Sequence, residues 1–158
     1  MREPQNRIPE KGLKVWRISG MIHSIFSLLV TGVIIALTII FDWPIWIIPI
    51  ALFLFVIEAY LVIMFFPTLK WKRWRYEVRE NELELQHGVF IIKRTLVPMI
   101  RVQHVDTRQG PLLRKYQLAT VTVSTAATVH EIPALDLDEA EELRFNISKL
   151  ARVADEDV

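Results

Sequence analysis

The sequence predicts an α+β chain: a two-helix transmembrane hairpin, then an antiparallel β-barrel or sandwich capped by a C-terminal α-helix. Three observations carry this reading. Residues 18–66 hold no Lys or Arg and only two acidic residues, Asp42 and Glu58, although 23% of the 158 residues are charged. From residue 70 onward the continuous apolar runs give way to alternation with period two, and after Asp136 to helical spacing. A soluble core of this chain length cannot absorb two consecutive apolar runs of more than twenty residues, so a wholly soluble protein is excluded. With 52% hydrophobic residues, disorder is excluded too. The lack of Cys removes disulfides, Cys-ligated zinc and thiol nucleophiles, and a formal net charge of +1 argues against nucleic acid as a partner.

The chain divides into a basic N-terminal segment (1–17), the hairpin (18–66) and a C-terminal domain (67–158). Ile18–Ile40 carries 13 Ile, Leu, Val or Phe residues and Pro44–Phe66 carries 15. At 1.5 Å per residue each run reaches roughly 34 Å, enough to cross a bilayer. Only Phe41, Asp42 and Trp43 join them, so the helices are antiparallel. Thirteen such residues favour insertion by roughly 4 to 8 kcal/mol, which outweighs the roughly 3 kcal/mol that a central carboxyl costs. The first run is too long for a signal-peptide core and lacks a small-residue cleavage site, so it reads as a retained anchor.

Arg2, Arg7, Lys11, Lys14 and Arg17 precede the first span, Lys70, Lys72, Arg73 and Arg75 follow the second, and the connection has neither Lys nor Arg. Excess positive charge marks the cytoplasmic side, so a multi-pass protein of the cell membrane with both termini cytoplasmic is expected. All five Trp residues (Trp16, Trp43, Trp46, Trp71 and Trp74) fall at the span borders, where interfacial aromatics belong. Pro44 is expected in the first turn of the second helix, at no cost, and Pro49 one turn further in, where it should bend the helix.

Glu58 is the one ionisable residue near the middle of the second span. Counting inward, its depth on the first helix falls near Phe26, where Gly20, Ser24, Ser27 and Thr31 make one small, polar face with His23 on its border. Glu58, His23, Ser24 and Ser27 are therefore the candidate intramembrane polar pairing, with fixing the hairpin or an oligomer weighed ahead of transport. Lys70, Lys72, Arg73 and Arg75 are placed to meet anionic phospholipids, whether or not they also set topology.

In the C-terminal domain, Trp74–Val78 and Leu83–Gln86 alternate as strands around the turn at residues 80–82. Val89–Val97 is a β-branched apolar run interrupted by Lys93-Arg94 and closed by Pro98. Weak alternation over Val102–Arg108, Val and Thr enrichment over Leu118–Thr125, and Ala127–Ile132 bring the total to about six strands, or seven if residues 89–98 divide. Asp136 and Glu139 form a capping-box-like start to a final helix, whose apolar face is Ala140, Leu143, Ile147, Leu150 and Ala151.

Trp74-x-Tyr76-x-Val78, Gly88, Val97-Pro98-Met99-Ile100-Arg101-Val102-Gln103-His104-Val105, Gln109-Gly110-Pro111-Leu112-Leu113-Arg114, Leu118-Ala119-Thr120-Val121 and Ile132-Pro133-Ala134-Leu135 follow one another as in the YdbS-like bacterial pleckstrin-homology (PH) domain membrane proteins. The chain resembles that family over nearly its whole length. The resemblance implies a PH-like fold of seven strands in two sheets capped by the C-terminal helix, frequent pairing with a larger multi-pass relative, and no known enzymatic activity. Some similar proteins are associated with tolerance of bacteriocins and other membrane-active peptides. Tyr116-Gln117 departs from the family, which often has a glycine there.

No enzyme motif stands against this. The four His residues show no metal-ligand spacing, the five Gly residues form no phosphate loop, and Ser124 lacks a nucleophile-elbow context. No catalytic, cofactor-binding or metal residue is assigned. The first strand-to-strand loop, Arg79-Glu80-Asn81-Glu82, is acidic and would repel a phosphorylated headgroup. Two functions remain: a scaffold or interaction protein that assembles with itself or with a multi-pass PH-domain partner, and a component of a transporter or envelope-defence system.

Overall fold

The computed structural model describes residues 3–156, and its compact units are two: Trp16–Leu69, and a sheet-bearing unit made of the residues up to Val15 with those from Lys70 onward. Arg2, counted above in the basic flank, lies outside the described residues.

In the first unit, helix α1 (Glu10–Ile40), which begins in the sheet-bearing unit, runs to the turn at 41–46. Asp42 turns the chain there with φ 49°, a left-handed conformation that a short polar side chain tolerates. Helix α2 (Ile47–Tyr60) continues through a π-helical turn, Leu61–Phe65, into α3 (Phe66–Arg73). Because α2 starts at Ile47, Pro44 precedes the helix. Pro49 lies within the first turn, where a missing N–H breaks no intrahelical bond, so the bend expected there has no cause. No residue of α2 is buried, and Ile25, Leu29, Phe53 and Val56 of the two helices are each more than 60% exposed. Surface this apolar requires lipid around it.

The second unit holds seven strands in two antiparallel sheets. One sheet has the order β1 (Asn6–Arg7), β2 (Arg75–Val78), β3 (Glu82–His87) and β4 (Lys93–Pro98). The other has the order β5 (Val102–Arg108), β6 (Leu118–Thr125) and β7 (Val129–Asp136). A 3₁₀ turn, Met99–Arg101, follows β4, and a short helix α4 (Pro111–Lys115) follows β5. The amphipathic helix α5 (Leu137–Glu156) buries Ala140, Leu143 and Ile147 against β5, β6, β7 and the 3₁₀ turn. Tyr76, Leu83, Leu85, Val121 and Ile132, each at most 2% exposed, fill the core with them.

Four expectations are corrected. The N-terminal segment is not separate from the domain, because Asn6 and Arg7 pair with Tyr76 and Arg75 and so supply the seventh strand. Ile8 and Val15 are buried, and the Trp71 indole donates to the Ile8 carbonyl at 2.8 Å. Gly12 is needed for this close packing, since a Cβ there would lie 2.8 Å from Ile8 Cγ2 and 3.0 Å from Ala134 Cβ. Trp74, expected at the membrane interface, is 5% exposed and stacks on His87. The run 89–97 is strand only from Lys93, and residues 89–92 form a loop. The Asp136–Glu139 capping box does not form, because Asp136 pairs with Lys11 at 3.1 Å and Glu139 accepts a hydrogen bond from the Tyr76 hydroxyl at 2.5 Å.

Gln117 takes φ 54°, the left-handed conformation for which the family glycine is suited, and its carbonyl accepts from the Leu137 amide at 3.0 Å. The turn is therefore left-handed at a residue with a Cβ and carries strain. That strain costs a residue with a Cβ about 1 to 2 kcal/mol, against roughly 0.4 to 1 kcal/mol of unfolded-state freedom that a glycine adds. Gln117→Gly is expected to stabilise the chain by about 0.5 to 1 kcal/mol. The check is a raised midpoint of thermal unfolding in mild detergent; a lowered midpoint contradicts it.

Candidate functional site: an intramembrane His–Glu pair and a basic collar

The buried residues of α1 within the hairpin are Gly20, Ser24, Thr31 and Thr38, all small and all on one helix face. Ser27 continues that seam, half-buried. Gly20 allows the two backbones to touch, since a Cβ there would lie 2.6 Å from the Val62 carbonyl oxygen, inside the π-helical turn. The Thr31 and Thr38 hydroxyls donate back to the Ser27 and Ile34 carbonyls at 2.9 and 2.8 Å, so neither is an unmet donor in lipid.

The antiparallel register that sets Gly20 against Val62 brings Glu58 Oε1 to 3.3 Å from His23 Nε2, one turn from the Phe26 level expected by counting. The contact is not aligned as a hydrogen bond, and both Glu58 carboxyl oxygens and the Ser24 hydroxyl are shielded without a hydrogen-bond partner. Beside Glu58 a hollow of about 350 Å³ lies open on the outer surface of the hairpin, lined by Ser27, Thr31, Ala51, Leu54 and Phe55 among others. His23 sits at the edge, its side chain 62% exposed.

The basic residues after the second span divide. Lys70 and Lys72 are exposed, whereas Arg75 pairs with Glu3 at 2.8 Å with its side chain 21% exposed, and Arg73 donates to the carbonyl of Val89. Two of the four thus belong to exposed residues. In the β2–β3 turn, Arg79 is held by Glu82 at 2.8 Å, Glu84 at 3.0 Å and Glu77 at 3.3 Å. One guanidinium against three carboxylates gives this turn a surplus of negative charge. Among the described residues no three His, Asp or Glu side chains gather as a metal site.

The match to the Bacterial PH domain family spans residues 19–151, which takes in most of the hairpin and every strand but β1. The chain belongs to that family. It is 50% identical over its full length, and over the full length of the relative, to the UPF0699 transmembrane protein YdbS of Bacillus subtilis (strain 168). It is 25% identical over 85 residues, 51% of this chain and 17% of the relative, to the UPF0699 transmembrane protein YdbT of the same organism. No solved structure matches. The chain is thus a YdbS-like membrane protein with a PH-like domain.

His87 in β3 and His130 in β7 carry no spacing that would single them out. Burial lowers the pKa of each, and the Lys93 ammonium lowers both further. A folded-state pKa below the ordinary 6.5 stabilises the fold fully above that value, and the contribution is lost as pH falls through the lowered folded values. Unfolding midpoints should therefore drop as pH falls below the ordinary 6.5, and the double variant His87→Gln, His130→Gln should flatten that drop. An unchanged pH profile contradicts this.

A second expectation concerns the seam. Gly20→Val forces the backbones at Val62 apart and should lower the thermal midpoint of the hairpin, whereas Gly32→Val, with nothing within 4 Å, should not. Equal midpoints for the two variants would remove the close approach from the account.

Proposed function

We propose that this protein is a non-enzymatic membrane scaffold, whose hairpin assembles with a second copy or with a larger multi-pass PH-domain protein and holds the PH-like domain on the cytoplasmic side. The observation that carries the reading is the Glu58 carboxyl, shielded without a hydrogen bond and bordering a hollow open on the outer surface of the hairpin. In lipid an unmet polar group costs several kcal/mol, and a further helix seated in the hollow supplies the missing donor. The similarity of about half the chain to a small part of YdbT supports a larger relative with a kindred domain as the partner. The Lys and Arg residues flanking the spans support the cytoplasmic placement of both termini. Lys70 and Lys72 are the side chains offered to anionic phospholipids, at about 1 kcal/mol each.

The test is the mass of the intact complex purified in mild detergent. The expected result is an assembly larger than one chain that Glu58→Leu dissociates to the monomer. A wild-type monomer with no copurifying membrane protein overturns the reading. The 3.3 Å approach of His23 to Glu58 supports a second reading, a component of a transport or envelope-defence system giving tolerance to membrane-active peptides. Glu58→Gln separates the two: an intact assembly with lost tolerance supports the second, and a dissociated one supports the first.

A further inference from the structure

Residues 88–92 present apolar side chains outward where strand was expected. Phe90, Ile91 and Ile92 are 73%, 84% and 52% exposed, and Ile91 is more exposed than any large apolar residue described in the hairpin itself. The loop is shaped rather than slack. Gly88 takes φ +133°, and a Cβ on it would lie 1.9 Å from the Ile91 carbonyl oxygen, so only glycine closes this turn. The Arg73 guanidinium donates to the Val89 carbonyl and fixes the base of the loop to the last residue of α3.

That attachment ties the loop to the helix that continues the second span, seven residues beyond Phe66. Lys93 and Arg94 follow the apolar run directly, and Lys70 and Lys72 are exposed on the same turn of helix as Arg73, which is the charge arrangement of a segment that enters an anionic surface.

We infer that the Val89–Ile92 loop is a second membrane contact, with Phe90, Ile91 and Ile92 inserted into the leaflet at the basic end of the hairpin. The occupant of this apolar patch is then lipid, continuous with the lipid around the spans, and not a protein chain. The inference holds whether or not the hairpin assembles.

The chain has no Cys, so single-Cys variants of the full-length protein label cleanly. Ile91→Cys and Ile92→Cys, each carrying an environment-sensitive fluorophore, are placed in nanodiscs of zwitterionic and anionic phospholipid. Asn81→Cys, exposed at the other end of β3, is the reference. The expected result is blue-shifted emission at 91 and 92, quenched severalfold by lipids spin-labelled high on the acyl chain, with water-like unquenched emission at 81. Water-like emission at both loop positions overturns the inference. So does blue-shifted emission that spin-labelled lipid fails to quench, which would assign the patch to a protein partner or a second copy.

Discussion

Everything in this molecule follows from lipid being the solvent of two helices that a six-residue turn cannot hold apart. A chain in hydrocarbon must meet its backbone hydrogen bonds within each helix and turn its polar side chains inward. The seam of Gly20, Ser24, Ser27, Thr31 and Thr38 does the second. Two of its hydroxyls are satisfied by the helix itself. Glu58, near His23 yet without a hydrogen bond, and the Ser24 hydroxyl are left unsatisfied, and such a carboxyl beside an open hollow is what makes a structural hairpin a candidate for assembly.

The sheet-bearing unit is built by a different economy, in which water is the solvent and the core is closed by chain ends. The residues before the first span return to the sheet as an edge strand, through Ile8, Gly12, Lys11 and Glu3, so the domain is not assembled from the C-terminal half alone. Trp71 and Trp74 serve this closure, one by its indole hydrogen bond and the other by stacking on His87.

The spans, their antiparallel order and the polar seam were legible because they rest on composition over twenty residues and on a spacing of three and four. The order of the main strands was legible for the same kind of reason, alternation with period two. What escaped was set by contacts that no local pattern records. A two-residue strand between Pro4 and Pro9 has no periodicity to read. Val89–Ile92 has the composition of a strand, yet Gly88 and the reach of Arg73 make it a loop. Asp136 and Glu139 carry the spacing of a cap, but Lys11 and Tyr76 claim their carboxylates. At Gln117 the departure from the family residue was visible, and only the backbone showed that the residue there is left-handed.

Alkaline carbonate treatment of membranes from cells making the full-length protein tests the central claim most directly, because it strips proteins held by charge or by a partner and leaves those embedded in hydrocarbon. The account predicts that the chain stays in the sedimented membrane and enters solution only with detergent. Release into the supernatant by carbonate alone would contradict it.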